Sequence, residues 1–285
     1  MGRKIYGHTL EDDSKTKDVN VTEFDNGVGS VNITVDYPTM SIWNGDEVVV
    51  GGFNESIGTD WEDLSNIDAD NTYLTCTSVT TVSVSSSSVA DSHDEYGAAT
   101  SGGARVVRLH YLNADWDATT ADAYMSGVSS VEIATDVLRV NKLEVVKVGV
   151  SGSSAGNIVA ASGTTVYLKI DECCNESYGG YYYVPDGKNL IITDAFCYPL
   201  LGNAFSLEFV YKVEEPKVVG ATTNYIENYK WAGSYKSGSS MNMAPNMNLP
   251  LLVNGRCRIR VRAKSSEAIG SAIGYFKGYL VDEKA

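Results

Sequence analysis

From Ser30 onward the apolar residues fall at alternate positions, as in Val31, Ile33 and Val35 ahead of Tyr37, and Val82 and Val84 at the end of the run from Leu74. Alternation sends successive side chains to opposite faces of an extended strand, whereas a helix would repeat apolar residues at three and four. No long stretch has the helical repeat, and Val, Thr, Ser, Tyr and Gly, which favour strands and turns, dominate. A strand at 47–50 follows the Asn44-Gly45 turn signal. Further strands are predicted at 104–111, 131–134, 137–150, 165–170, 180–184, 189–196, 205–212, 256–263 and 272–281. Many short strands separated by Gly-rich turns predict an all-β chain, with two sheets burying their inner faces in a β-sandwich or jelly-roll.

Three stretches break the rhythm. Residues 1–29 are polar and acidic, and predict an extended N-terminal arm that orders against a neighbour, with Phe24 as its contact residue; residues 30–285 form the sandwich domain. The Ser/Gly/Ala run 85–103 predicts a flexible loop, and the Trp- and carboxylate-rich stretch 53–70 a surface loop or short helical turn. Residues 216–249 form a long irregular segment rich in Asn, Tyr, Ser, Gly and Met. There Trp231, Tyr235, Met241, Met243 and Met247 are candidate partner contacts, because flexible methionines fill irregular apolar gaps. The alternative is that this loop covers an open end of its own sandwich.

Charge narrows the partners. A formal net charge of -14 opposes a surface that gains affinity by neutralising phosphates, so nucleic acid is not an expected partner. The basic run Arg256, Arg258, Arg260 and Arg262 places its arginines on one strand face, read as a solvated or inter-subunit face. No apolar run reaches the roughly 18 residues of a spanning helix, and the start lacks a signal-peptide hydrophobic region, so the expectation is synthesis in the cytoplasm without membrane attachment. The 5 cysteines show no repeated metal-ligand spacing and are expected to be free thiols. Cys173 and Cys174, adjacent on a strand, would face opposite ways, with a vicinal disulfide or metal site as the alternative.

Nucleophilic catalysis needs a Ser, Cys or Thr beside a base with a third group orienting it. The histidines are His8 in the arm, His93 in the loop and His110 on a strand, facing solvent; no nucleophile elbow, P-loop or dinucleotide fingerprint is present. Asp115 and Asp117 flank Trp116 in a turn compatible with a sugar or calcium site, yet without the glutamate-terminated calcium loop. Asp68 and Asp70 form a similar pair. The expectation is a non-enzymatic protein without cofactor or metal.

Three passages carry a resemblance. They are Arg105 to Gly127, a strand, an acidic turn with an aromatic and a second strand; Tyr183-Val-Pro-Asp-Gly-Lys with Asn189 to Phe196, read as a hairpin; and Arg260 to Ser266 with Gly274 to Asp282, read as paired closing strands. Over roughly 104–282 their order resembles structural proteins of tailed bacteriophages, especially those of marine and freshwater bacteria. The resemblance implies a virion protein of β-sandwich type, without cofactor, that decorates or cements the capsid or a head joint. Its partners would be other virion proteins, such as the major capsid protein or neck and tail proteins, and further copies of itself in a homo-oligomer. The alternative is a tail or fibre module that binds a host glycan, with Trp61, Trp116 or Trp231 as stacking platforms. A polysaccharide-degrading enzyme ranks last.

Overall fold

The computed structural model describes residues 45–67, 76, 78–93, 102–201, 206–216, 225–236, 251–266 and 270–283, and every regular element among them is a strand. In chain order these are β1 (Asp46–Ile57), β2 (Glu62–Asp63), β3 (Thr80–Ser86), β4 (Ala104–Leu112), β5 (Ala118–Tyr124), β6 (Val131–Val137), β7 (Arg139–Val148) and β8 (Ile158–Ser162). There follow β9 (Thr165–Ile170), β10 (Tyr181–Tyr183), β11 (Lys188–Leu201), β12 (Ser206–Pro216), β13 (Tyr225–Lys236), β14 (Leu251–Val253), β15 (Arg258–Ser265) and β16 (Gly270–Asp282). The predicted all-β class is what the chain adopts. The arm 1–29 with Phe24, and Met241, Met243 and Met247, lie outside the described residues.

Where the sequence predicts one sandwich, the strands enclose two cores. In the outer sandwich a sheet ordered β1-β16-β11-β14 faces one ordered β10-β15-β12-β13, with β2 also pairing β15. Between them lie Val48, Val50, Leu190, Ile192, Ile259, Val261 and Phe276. In the inserted sandwich β6-β3-β8-β9 faces β5-β4-β7, over a core that includes Val82, Val84, Leu109, Leu112, Val137, Ile158 and Leu168. Alternation is the cause: on β15 Ile259, Val261 and Ala263 are buried, and on β3 Val82, Val84 and Ser86. Each fully buried Leu or Ile stabilises the fold by about 2–3 kcal/mol relative to exposure.

The chain lays down β1 and β2, builds the whole inserted sandwich from β3 to β9, and returns through β10 to finish the outer one. As a result the first and last of the described strands pair, with Val49 opposite Lys277. Strand β10 is shared by both cores. Tyr181 and Tyr183 are buried in the inserted core, while Tyr182, pointing the other way, packs against the outer core. Asn141 of β7 fastens β10 like a strand neighbour: its Nδ2 donates to the Tyr183 carbonyl at 3.0 Å and its Oδ1 accepts from the Tyr183 N–H at 2.8 Å. The chain crosses closely at Gly52 and Gly180, where a Cβ on Gly52 would lie 2.6 Å from the Gly180 Cα and Gly180 has φ +68, so a side chain is excluded at both.

Several local predictions are corrected. Residues 53–67 of the stretch 53–70 are not a surface loop: β1 runs through Ile57, β2 follows, and Leu64 and Ile67 are buried; 68–70 lie outside the described residues. Loop 85–103 begins too early, since Ser85 and Ser86 close β3. It is also tied down within its span by the buried Asp91, whose carboxylate accepts from Ser86 Oγ at 2.6 Å, Ala104 N at 2.6 Å and Ala155 N at 2.8 Å. The segment 216–249 contains the twelve-residue strand β13, antiparallel to β12; its polar, aromatic composition hides a strand that alternation would have revealed. The Val-Pro-Asp-Gly-Lys turn joins β10 to β11, strands of different sheets, so it is a crossing and not a hairpin. The closing strands β15 and β16 likewise face each other from opposite sheets and are not paired.

Candidate functional site

A groove of about 900 Å³ opens between the two sandwiches. One wall is the rim of the outer sandwich, with Val49 and Gly51 of β1 and Tyr275 of β16. The other is the inserted sandwich, with His110 of β4 and Lys142 of β7, and Tyr178 and Tyr182 close one side. Alternation along β1 turns Val48 and Val50 into the core and leaves Val49 48% exposed. Beside the groove the Phe196 and Tyr275 rings stack with centroids 4.8 Å apart, as their opposed positions on β11 and β16 require.

The inserted wall carries an ion network. Glu144 accepts from His110 Nε2 at 2.9 Å and from Lys142 Nζ at 2.8 Å, and Lys142 also reaches Glu176 at 3.0 Å. Burial pushes the Glu144 carboxyl up, but the hydrogen bonds from Lys142 and His110 outweigh it and hold the group below its ordinary value. Lys142 is treated in mirror image: burial lowers it, and its two carboxylate partners raise it further. Across the groove, burial and then the Asp46 charge push the Tyr182 phenol above its usual range.

The backbone of β1 adds a feature of its own. The Gly51 carbonyl accepts from Gly180 N at 3.0 Å, so the polar groups of Gly51 point away from β16. In an antiparallel pair a residue directs its N–H and C=O to the same side, and the side alternates along the strand. With the unbroken register from Asp46 to Asn54, the N–H and C=O of Glu47 and Val49 point the same way as those of Gly51, into the groove. Among the described residues no strand pairs with β1 on that side.

Of the residues singled out from sequence, His110 lines the groove, whereas Trp61 and Trp116 do not. Trp116 is buried at 6% exposure with the Arg139 guanidinium 5.3 Å over its ring, so its face is filled and it is not a sugar platform. Trp61 is half-buried, with Lys264 Nζ 5.1 Å over its ring. Trp231 and Tyr235 belong to β13, opposite Tyr211 and Leu207; their side chains lie outside the described residues.

The turn around Trp116 is held by Asn113 Oδ1, which accepts from the N–H groups of Asp115 and Asp117 at 2.9 and 3.0 Å, an Asx turn needing no ion. Among the described residues no cluster of three or more His, Cys, Asp or Glu could hold a metal. Asp68 and Asp70 lie outside the described residues. Cys173 and Cys174 are free and sit in a turn after β9, not on a strand.

Of the four arginines, Arg256 lies in the turn before β15, with φ +61, and pairs with the exposed Asp186 at 2.6 Å, while Arg258, Arg260 and Arg262 form a covered face and not a solvated one. Arg258 is buried against Tyr183, Arg260 donates to both oxygens of the nearly buried Asp63 at 2.9 and 2.8 Å, and Arg262 approaches Asp63 within 3.2 Å. His110 is half-covered through its bond to Glu144. The groove residues were missed because they come from β1, β4, β7 and β16, distant in sequence; the one local signal is the exposed Val49 between two core valines, followed by Gly51-Gly52. Comparison of the chain with protein-family models, with curated proteins and with solved structures finds no match in any of the three.

Proposed function

We propose that this chain is a structural component of a tailed-bacteriophage particle, decorating or cementing the capsid or a head joint through protein-protein contacts rather than performing catalysis. The resemblance across 104–282 supports the phage assignment. The observation that carries the contact role is an apolar cluster at one end of the inserted sandwich: Val89, Tyr124 and Val128 are 75%, 62% and 59% exposed.

These residues are gathered by backbone bonds, since Ser86 N donates to the Gly127 carbonyl at 2.9 Å and Gly127 N to the Asp91 carbonyl at 2.7 Å, drawing the turn after β3 onto the turn between β5 and β6. The His93 and Tyr124 rings meet at 4.3 Å. Apolar side chains held out in water on a rigid base mark a contact surface.

Immunogold electron microscopy on purified phage particles whose genome encodes this chain tests the reading. Label at the capsid or head joint is expected, and should be lost when Val89, Tyr124 and Val128 are each changed to Asp. Label at fibre tips, with binding to host polysaccharide, would replace it by the glycan-binding alternative. Abundant chain in the lysate with unlabelled particles would end it.

A further inference from the structure

The groove joins two properties seldom found together: a strand edge that no strand among the described residues pairs with, and a second wall close enough to enclose whatever pairs with it. We propose that it receives an extended polypeptide segment, which adds to β1 as a fifth strand of the outer sheet through the N–H and C=O of Glu47 and Val49. The inference rests on reading the chain as a protein that works through protein contacts, and names the place and manner of one such contact.

The backbone sets the mode. Open edges are templates for a further strand, and proteins blunt them with charge, proline or a covering segment. Among the described residues β1 is covered only at Gly51 and Gly52, by Gly179 and Gly180 through an antiparallel bridge and one hydrogen bond, which leaves the edge upstream open. From Asp46 to Val50 the free edge takes about five residues of strand, on the order of 16 Å. An incoming strand would lie between that edge and the inserted sandwich, its alternate side chains meeting Val49 on one side and the Tyr182 ring on the other.

Charge sets the chemistry of the occupant. The groove lining holds the carboxylates of Asp46, Glu47 and Glu176 against the cations of Lys142 and, when protonated, His110; Lys142 is shared between Glu144 and Glu176 and Lys277 pairs with Glu47, so Asp46 is the lining carboxylate left to meet a further cation. A strand carrying a Lys or Arg among β-branched residues is therefore preferred over an acidic one. A neutral oligosaccharide could stack on Tyr178 but would leave the Glu47 and Val49 backbone groups unpaired.

The test uses the full chain and a synthetic probe, acetyl-Thr-Val-Lys-Val-Thr-amide, with two analogues N-methylated at alternate positions. On binding, hydrogen exchange at the Glu47 and Val49 amides should slow. One N-methylated analogue should lose binding at least about tenfold while the other keeps it, because only alternate amides face β1. Val49→Pro, which removes a donor on an edge that tolerates proline, should weaken the probe by a similar factor, and Glu176→Lys should weaken it less.

Equal binding of both analogues, or no protection of Glu47 and Val49 at saturating probe, overturns the proposal; protection by chitotetraose but not by the peptide overturns it in favour of a glycan cleft. Failure here is distinct from failure of the virion reading. Particles that carry the label while the peptide does not bind leave the capsid role standing and remove the groove from it. Unlabelled particles leave the peptide result to decide the groove alone.

Discussion

The guanidinium of Arg139 lies 5.3 Å from the centroid of the Tyr183 ring, and Arg258 stands 5.7 Å from the same ring. One arginine belongs to the inserted sandwich and the other to the outer one, so a single tyrosine on the shared strand is held between cations from both. Arg139 is fully buried, lies over Trp116 as well, and donates to the carbonyls of Cys76 and Leu138 at 2.7 and 2.6 Å.

Arg139→Met should therefore cost about 3 kcal/mol, since it removes charge-assisted hydrogen bonds to two carbonyls and a desolvated cation between rings. Urea unfolding followed by tryptophan fluorescence reads the loss directly. Arg139→Lys should recover little of it, because an ammonium cannot lie flat between Trp116 and Tyr183 while reaching both carbonyls.

Asp91 ties the turn after β3 to β4 and to the turn that precedes β8. Asp91→Ala leaves three donors without their acceptor and should destabilise the chain by about 3 kcal/mol. Gly103→Ala should mimic part of this without touching the carboxylate, because a Cβ there would collide with Asp91 Oδ1 and Ala155. Thermal melts of both variants check the pair; a Gly103→Ala melt equal to that of the parent would contradict the knot.

Thiol chemistry should be sharply graded. Cys76, Cys197 and Cys257 are buried, Cys174 is half-buried and Cys173 is exposed. Burial also pushes the Cys76 and Cys197 thiols up, lowering the fraction of reactive thiolate. Titration with a chromogenic disulfide should give one fast thiol, absent in Cys173→Ser, and all 5 only in denaturant.

The Glu144 network gives stability an acid limb. Its carboxyl titrates below 4.5 in the folded chain, so the contribution is complete above that value and is lost as pH falls through the lower, folded one. Urea midpoints measured from pH 7 to pH 3 should show the parent more stable than Glu144→Gln at neutral pH, with the gap closing below about pH 4.5.

How far the sequence foretold this molecule depends on the distance over which each feature is encoded. Strand β4 and the acidic turn after it were legible because the alternation and Asn113 are local, whereas β5, in which Ala, Thr and Asp replace large apolar residues, was implied only by the resemblance. Also legible was the alternation of Arg258, Arg260 and Arg262, which placed three arginines on one face. What covers that face is Asp63 and Tyr183, contributed by β2 and β10, and no local period announces them. The division into two sandwiches was hidden for the same reason: pairing Val49 with Lys277 is a fact about registers across the whole chain. In β13, Tyr, Asn, Ser and Gly replace the β-branched residues by which strands are recognised, which gives the segment the composition of a loop.

The pairing of β1 with β16 also sets a schedule for synthesis. At about 5–20 residues per second, β1 emerges from the ribosome on the order of ten seconds or more before β16 is made. In that interval the inserted sandwich can close by itself, since its seven strands pair only with one another, while Val48 and Val50 wait without the partner that will shelter them. A chaperone engaging the nascent chain would be expected at β1, and stalled chains ending before β16 should aggregate through that strand although their middle portion is already folded.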